Sequence, residues 1–104
     1  MGVPNYGAYG AAKGEVAALT RAAAAEYASE GIRINAVSPG AVETELWAHA
    51  PAGMLEQVAA SIPLQRVGQP NDIAEAVIWL CSDASGFVTG QNLALDGGSP
   101  QQVK

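Results

Sequence analysis

The sequence predicts an α/β chain with two parallel strands, too few for a complete sheet. Three observations predict it. A proline-free, alanine-dense segment runs from Tyr6 to Ser29. After it come a β-branched run, amphipathic runs and a second short apolar run, ending in the order strand, helix, strand. That order implies parallel strands joined by a right-handed crossover. The long first segment also has apolar or small residues on most of its faces, more than two strands can cover.

The elements follow in order. Alanine is the best helix former, and Val16, Leu19, Ala23 and Tyr27 recur at helical spacing. With Asn5 as the candidate N-cap, the helix is placed at 5–30, and Gly31 is its natural left-handed terminator. Ile32-Arg33-Ile34-Asn35-Ala36-Val37 reads as a strand, stopped by Ser38-Pro39-Gly40. Residues 42–62 are less regular and read as a mobile, partly helical segment. Within it Met54, Leu55, Val58 and Ile62 give one short amphipathic helix. Gln69-Pro70-Asn71-Asp72 opens the next helix, with Pro70 in a first-turn position and Asp72 where the helix dipole favours an anion. Its expected buried stripe is Ile73, Val77, Leu80 and Cys81. Asn92-Leu93-Ala94-Leu95 is the final strand, stopped by Asp96-Gly97-Gly98, and the tail to Lys104 reads as frayed. The strand–helix–strand unit therefore spans 32–95, within one partial domain of 1–104.

Composition narrows the function. About half of the 104 residues are hydrophobic and few are charged, which suits a folded chain. The net charge is −5, and the five basic residues, Lys13, Arg21, Arg33, Arg66 and Lys104, are scattered. A phosphate-tracking surface needs them clustered, so no nucleic-acid partner is expected. Cys81 is the only cysteine and His49 the only histidine, so neither an internal disulfide nor a cysteine-rich zinc site is available. No apolar run approaches bilayer length and the N-terminus lacks a signal-peptide pattern. The expectation is a cytoplasmic protein with no membrane partner.

Tyr9 and Lys13 are four apart and share one helix face. A free tyrosine has a pKa of roughly 10. A neighbouring ammonium lowers it, towards the range where a proton donor works best. Taken alone, the pair fits a surface aromatic–lysine contact better than a reactive pair.

The residues that follow change that reading. Tyr9-Gly10-Ala11-Ala12-Lys13, Gly31 to Gly40, Glu43-Thr44, Pro70-Asn71-Asp72-Ile73-Ala74, Phe87-Val88-Thr89-Gly90-Gln91 and Asp96-Gly97-Gly98 stand in one order. That ordered series resembles the short-chain dehydrogenase/reductase family, from about Gly2 to Gly98. The resemblance implies the C-terminal part of a Rossmann-type doubly wound parallel sheet, incomplete here: long catalytic helix, strand, lid at 42–62, helix, strand. It implies NAD or NADP as cofactor and a small carbonyl or alcohol as substrate. Tyr9 matches the catalytic acid/base. Lys13 matches the residue that lowers the tyrosine pKa and bonds the nicotinamide ribose. Pro39 and Gly40 match the turn beside the nicotinamide, and Thr44 a residue at the nicotinamide–phosphate end. The general tone is that of the 3-oxoacyl-carrier-protein reductase and sugar-dehydrogenase branches.

The departures are equally plain. The family's glycine-rich phosphate loop, the residue that selects NAD or NADP, the catalytic serine and the helix asparagine all precede the tyrosine, and only eight residues do so here. The expectation is an oxidoreductase half with weak or no turnover as an isolated chain. The competing expectation is a non-catalytic interaction module, either a homo-oligomer or one that pairs with a missing N-terminal half. Asp96-Gly97-Gly98 reads as a strand terminator rather than a phosphate turn, and His49 as an exposed loop residue. Trp47 either lines a substrate pocket or covers the lid. Trp79 reads as core or subunit interface, and Glu43 and Glu45 as a solvated pair of charges.

Overall fold

The computed structural model describes residues 3–99; the side chains of residues 3–12 and of Leu46 lie outside that description. The elements in chain order are α1 (Val3–Tyr27), β1 (Ala36–Pro39), α2 (Met54–Ser61), α3 (Pro70–Leu80) and β2 (Asn92–Leu95). Short 3-10 turns occupy Ala28–Glu30, Glu45–His49 and Asp83–Ser85. Among the described residues, no helix is long and apolar enough to cross a membrane. The expected frayed tail at 100–104 lies outside the described residues.

Two compact units are distinguished. The first holds α1, the segment to Ala36 and Ser85–Leu93; the second holds Val37–Ala84 and Ala94–Ser99. In the first unit, α1 begins at Val3, so Asn5 lies inside the helix and is not its N-cap. Proline is tolerated in a first helical turn, where its missing N–H has no partner to lose, so the helix starts before Asn5. The buried Thr20 hydroxyl donates back to the Val16 carbonyl at 2.8 Å, which satisfies it within the helix. Ala24 is the buried apolar residue of this face. Gly31 closes the helix as expected, in the left-handed region at φ 76°, its N–H donating to the Ala28 carbonyl at 3.0 Å.

The first strand begins later than the sequence predicts. Residues 32–35 run beside 88–91, but side chains make most of the bonds there. The Thr89 hydroxyl accepts from the Ile34 N–H at 3.1 Å. The Asn35 carboxamide accepts from the Gln91 N–H at 3.0 Å and donates to the Val88 carbonyl at 3.1 Å. Arg33 also donates to the Val88 carbonyl. Backbone ladder bonds take over at the Ala36 N–H to the Gln91 carbonyl, 2.8 Å, and continue to the Gly40 N–H and the Leu95 carbonyl, 3.0 Å. Partners advance together along both segments, so the two strands are parallel. Pro39 is tolerated because β1 lies at the edge of a two-stranded sheet, where one side has no ladder partner.

In the second unit, α2 occupies the amphipathic stretch that the sequence predicts, and Ile62, its C-cap, is buried. Pro70 does stand in the first turn of α3, behind Gln69 as N-cap. Cys81 departs from expectation: it is the C-cap of α3 and exposed, not part of a buried stripe. Val77 is also largely exposed, and the inward side is carried by half-buried Ile73 and Leu80. Trp79, expected in the core or at an interface, is 45% exposed.

Two glycines of this unit differ in a way that can be measured. Both have positive φ, 84° at Gly53 and 63° at Gly97. A Cβ on Gly53 would meet open space, whereas one on Gly97 would lie 2.6 Å from Cγ2 of Ile62. Gly53→Ala should therefore cost only the left-handed backbone penalty, about 1 kcal/mol. Gly97→Ala should cost about 1–3 kcal/mol more, because the packed Ile62 must move. Urea unfolding of the two variants checks the order, and equal losses would contradict it.

Candidate active site

Tyr9 and Lys13 lie on α1 with no break between them. At i,i+4 spacing on a helix, the two positions share one face. Lys13 is half-buried; the side chain of Tyr9 lies outside the described residues. Both belong to the first unit.

Pro39, Gly40 and Thr44 belong to the second unit, at the carboxyl end of β1 and in the segment that follows it. Gly40 is needed there for close approach. A Cβ would stand 2.8 Å from the Cβ and 3.0 Å from the Cα of Asp96. The strand ends meet at backbone distance, and only a residue without a side chain fits. Thr44 is exposed, and its carbonyl accepts from the Trp47 N–H at 3.0 Å, which opens the 3-10 turn of the lid. The Trp47 indole N–H donates to the Val42 carbonyl at 2.9 Å. This bond ties the Trp47 side chain to the segment just after β1. His49 is exposed at the end of that turn, as expected.

Asp96-Gly97-Gly98 forms a self-bonded turn. The Asp96 carboxylate accepts from the Gly98 N–H at 3.0 Å, and the Gly97 carbonyl accepts from the Leu64 N–H at 3.0 Å. A cavity of about 380 Å³ lies beside it, lined among others by Ala41, Ile62, Arg66, Asp72 and Asp96. Of the second unit's candidates, Pro39, Gly40 and Thr44 are not among its lining residues. Among the described residues, no group of three His, Cys, Asp or Glu side chains is placed to hold a metal ion.

The polar cluster at the base of the lid was not read from the sequence. Arg66 grips Asp72 with two bonds, Nη1 to Oδ2 at 2.9 Å and Nη2 to Oδ1 at 3.2 Å. Oδ2 of Asp72 also accepts from the Gln69 backbone N–H at 2.7 Å, one arm of a reciprocal capping box with Gln69. Gln69 in turn donates from Nε2 to Oε1 of Glu43 at 2.9 Å. Glu45 is exposed, and Glu43 is half-buried with its carboxylate accepting from Gln69. The available signal was the capping-box spacing from Gln69 to Asp72. Nothing in the spacing pointed to Arg66 or Glu43, which reach the cluster through the folded loop.

The chain matches a family model described as enoyl-(acyl carrier protein) reductase over residues 1–99. It is 49% identical over 98 residues to cis-4-hydroxycyclohexanecarboxylate dehydrogenase of Sinomonas cyclohexanicum, covering 94% of this chain and 39% of that protein. It is 46% identical over 101 residues to 2,5-dichloro-2,5-cyclohexadiene-1,4-diol dehydrogenase of Sphingobium indicum, covering 94% and 40%. A crystal structure assigned as a betaketoacyl-ACP reductase superposes with a TM-score of 0.69 at 43% identity, covering 86% of this chain and 38% of that one. The chain belongs to the short-chain dehydrogenase/reductase family and corresponds to its C-terminal part, an incomplete Rossmann-type α/β fold. It spans about two fifths of the length of the curated relatives it matches.

The Arg66 guanidinium, then the Gln69 N–H, hold the Asp72 carboxyl down from the ordinary 3.8 to about 2. The same pair raises Arg66. With the side chains 56% and 41% exposed, the ion pair's Coulombic attraction is screened by water. Because the folded value is depressed, the stabilisation is present in full above the ordinary carboxylate range and is lost as pH falls through about 2. Asp72→Asn should lower the melting temperature at neutral pH. It should also remove part of the acid-induced decline between about pH 4 and 2. Thermal melts of both forms across that range check it, and parallel curves would contradict the assignment.

Proposed function

We propose that these residues supply the proton-transfer part of an NAD(P)-dependent oxidoreductase that interconverts a carbonyl and an alcohol. One observation carries the reading: Tyr9 and Lys13 stand one turn apart on unbroken α1, inside a chain that matches the family over 1–99. In this reading the Tyr9 hydroxyl gives its proton to the substrate oxygen during reduction and recovers it during oxidation. The Lys13 ammonium stabilises the phenolate and brings the tyrosine closer to the working pH. When bound, the nicotinamide supplies or accepts the hydride.

The chemistry of the residues supports that cofactor. Within the second unit, the Thr44 hydroxyl and the backbone of the Pro39–Gly40 turn suit the hydroxyl- and carboxamide-bearing end of a dinucleotide. The carboxyl ends of parallel strands are also where α/β sheets receive ligands. None of these residues forms a glycine-rich phosphate cradle, so the pyrophosphate end is left to the length that relatives have beyond this chain. We therefore assign little cofactor affinity and little turnover to the 104 residues tested alone. Two of the relatives are named for ring alcohols, so ring-borne secondary alcohols are the first substrates to test.

A partner is the second part of the proposal. Among the described residues, the buried apolar ones are only Ala24, Ile62 and Val67, while Leu19, Leu64, Ile78 and Phe87 are each more than 60% exposed. Such surface favours a second copy or the complementary part of the fold. Sizing chromatography of the 104-residue chain should show self-association, and a monodisperse monomer with a sharp melt would remove this part of the reading.

The catalytic assignment is tested by exchanging residues 1–98 for the matching stretch of the Sinomonas relative. The hybrid should oxidise that enzyme's substrate. Tyr9→Phe in it should lower kcat by about 10²-fold or more. Lys13→Met should lower kcat and move the pH optimum upward, because the tyrosine returns towards about 10. A hybrid that keeps its activity after Tyr9→Phe would show the role given to Tyr9 to be wrong.

A further inference from the structure

The chain on either side of the expected lid at 42–62 is paired where residues 41–43 meet Gly68. The Glu43 N–H donates to the Gly68 carbonyl and the Gly68 N–H donates to the Ala41 carbonyl, both at 2.8 Å. Val42 and Gly68 form an isolated parallel bridge. Beside these backbone bonds stands the side-chain bridge from Gln69 Nε2 to Glu43 Oε1. Gln69 is itself held from behind, since Asp72 binds its backbone N–H and Arg66 binds Asp72.

We propose that Gln69 and Glu43 are positioning residues that clasp the neck of the lid and thereby set the backbone of Thr44, the next residue. The chemistry of the bridge has a direction. A carboxylate only accepts, so Gln69 must present its NH₂ to Glu43. The bond is charge-assisted, stronger than a neutral one. Arg66 and Asp72 anchor the Gln69 side of the clasp to the first turn of α3, and Glu43 carries that anchor to the lid. The use of the clasp rests on the lid and cofactor reading above; its existence does not.

Residue-resolved amide hydrogen exchange of the 104-residue chain tests it without cofactor or substrate. The reporters are the Glu43 and Gly68 amides, which bond across the neck, and the Trp47 amide, which bonds to Thr44. The controls are the Cys81 amide in α3 and the Ala36 and Gly90 amides of the first unit. Gln69→Glu keeps an oxygen for the capping box but sets a carboxylate against Glu43. It should speed exchange at the three reporters by about tenfold and leave the controls unchanged. Adding Glu43→Gln restores a donor–acceptor pair with the roles reversed, and protection should return. Unprotected reporters in the parent chain, no change in Gln69→Glu, an equal change in the controls, or no recovery in the double variant would each overturn the clasp. Loss of the Tyr9 assignment in the hybrid enzyme would leave this result untouched, so the two readings fail separately.

Discussion

In the second unit several segments converge on a single carboxylate. Asp72 offers two oxygens; one takes an Arg66 nitrogen, and the other takes an Arg66 nitrogen and the Gln69 N–H. Those bonds begin a helix, end a loop and orient the residue that reaches Glu43. The group is partly exposed, so its value lies in geometry more than in Coulombic energy. A bidentate guanidinium fixes a plane as well as a distance. From that plane follow the start of α3, the course of the chain from Arg66 to Gln69 and the pairing of Gly68 with Val42. The carboxylate therefore connects a feature of local helix chemistry to the placement of the chain around Glu43.

Much of this was legible in the sequence, residue by residue. Gly31, Pro70 and the Met54–Ser61 helix follow from rules that need only near neighbours, and they stand where those rules place them. The first strand was harder. Ile32 and Ile34 have strand character, yet the hydroxyl of Thr89 and the carboxamide of Asn35 replace backbone partners there. That exchange involves residues more than fifty positions apart, and no local pattern contains it. Cys81 misled for a related reason: its spacing fits the apolar stripe, but the helix ends one residue before it. Arg66 and Glu43 joined the Asp72 cluster only through the fold of the loop. The Tyr9–Lys13 spacing was visible at once, while its meaning came from the order of motifs downstream.

The apolar surface tells a consistent physical story. Burial of apolar area is the main favourable term in folding, and a small chain buries a smaller share of its area than a large one. Among the described residues, few large side chains are enclosed, and Phe87 is fully open. Side-chain hydrogen bonds at the strand entry and at the lid base therefore carry structural definition that a larger core would otherwise provide. Such bonds contribute about 1 kcal/mol each, enough to choose a conformation but not to replace a core.

The meeting of Gly40 with Asp96 and the pairing of Glu43 with Gly68 together mark parts that can and cannot vary. At Gly40 there is no room for even one methyl group, so chemical diversity cannot enter at the strand end. Between Glu43 and Gly68 the chain is a loop whose ends are already joined. Doubling the length of a closed loop adds only about 0.6 kcal/mol of closure entropy. Length changes are tolerated best before Ile62, because Ile62 and Val67 are buried, Leu64 bonds to Gly97 and Arg66 grips Asp72.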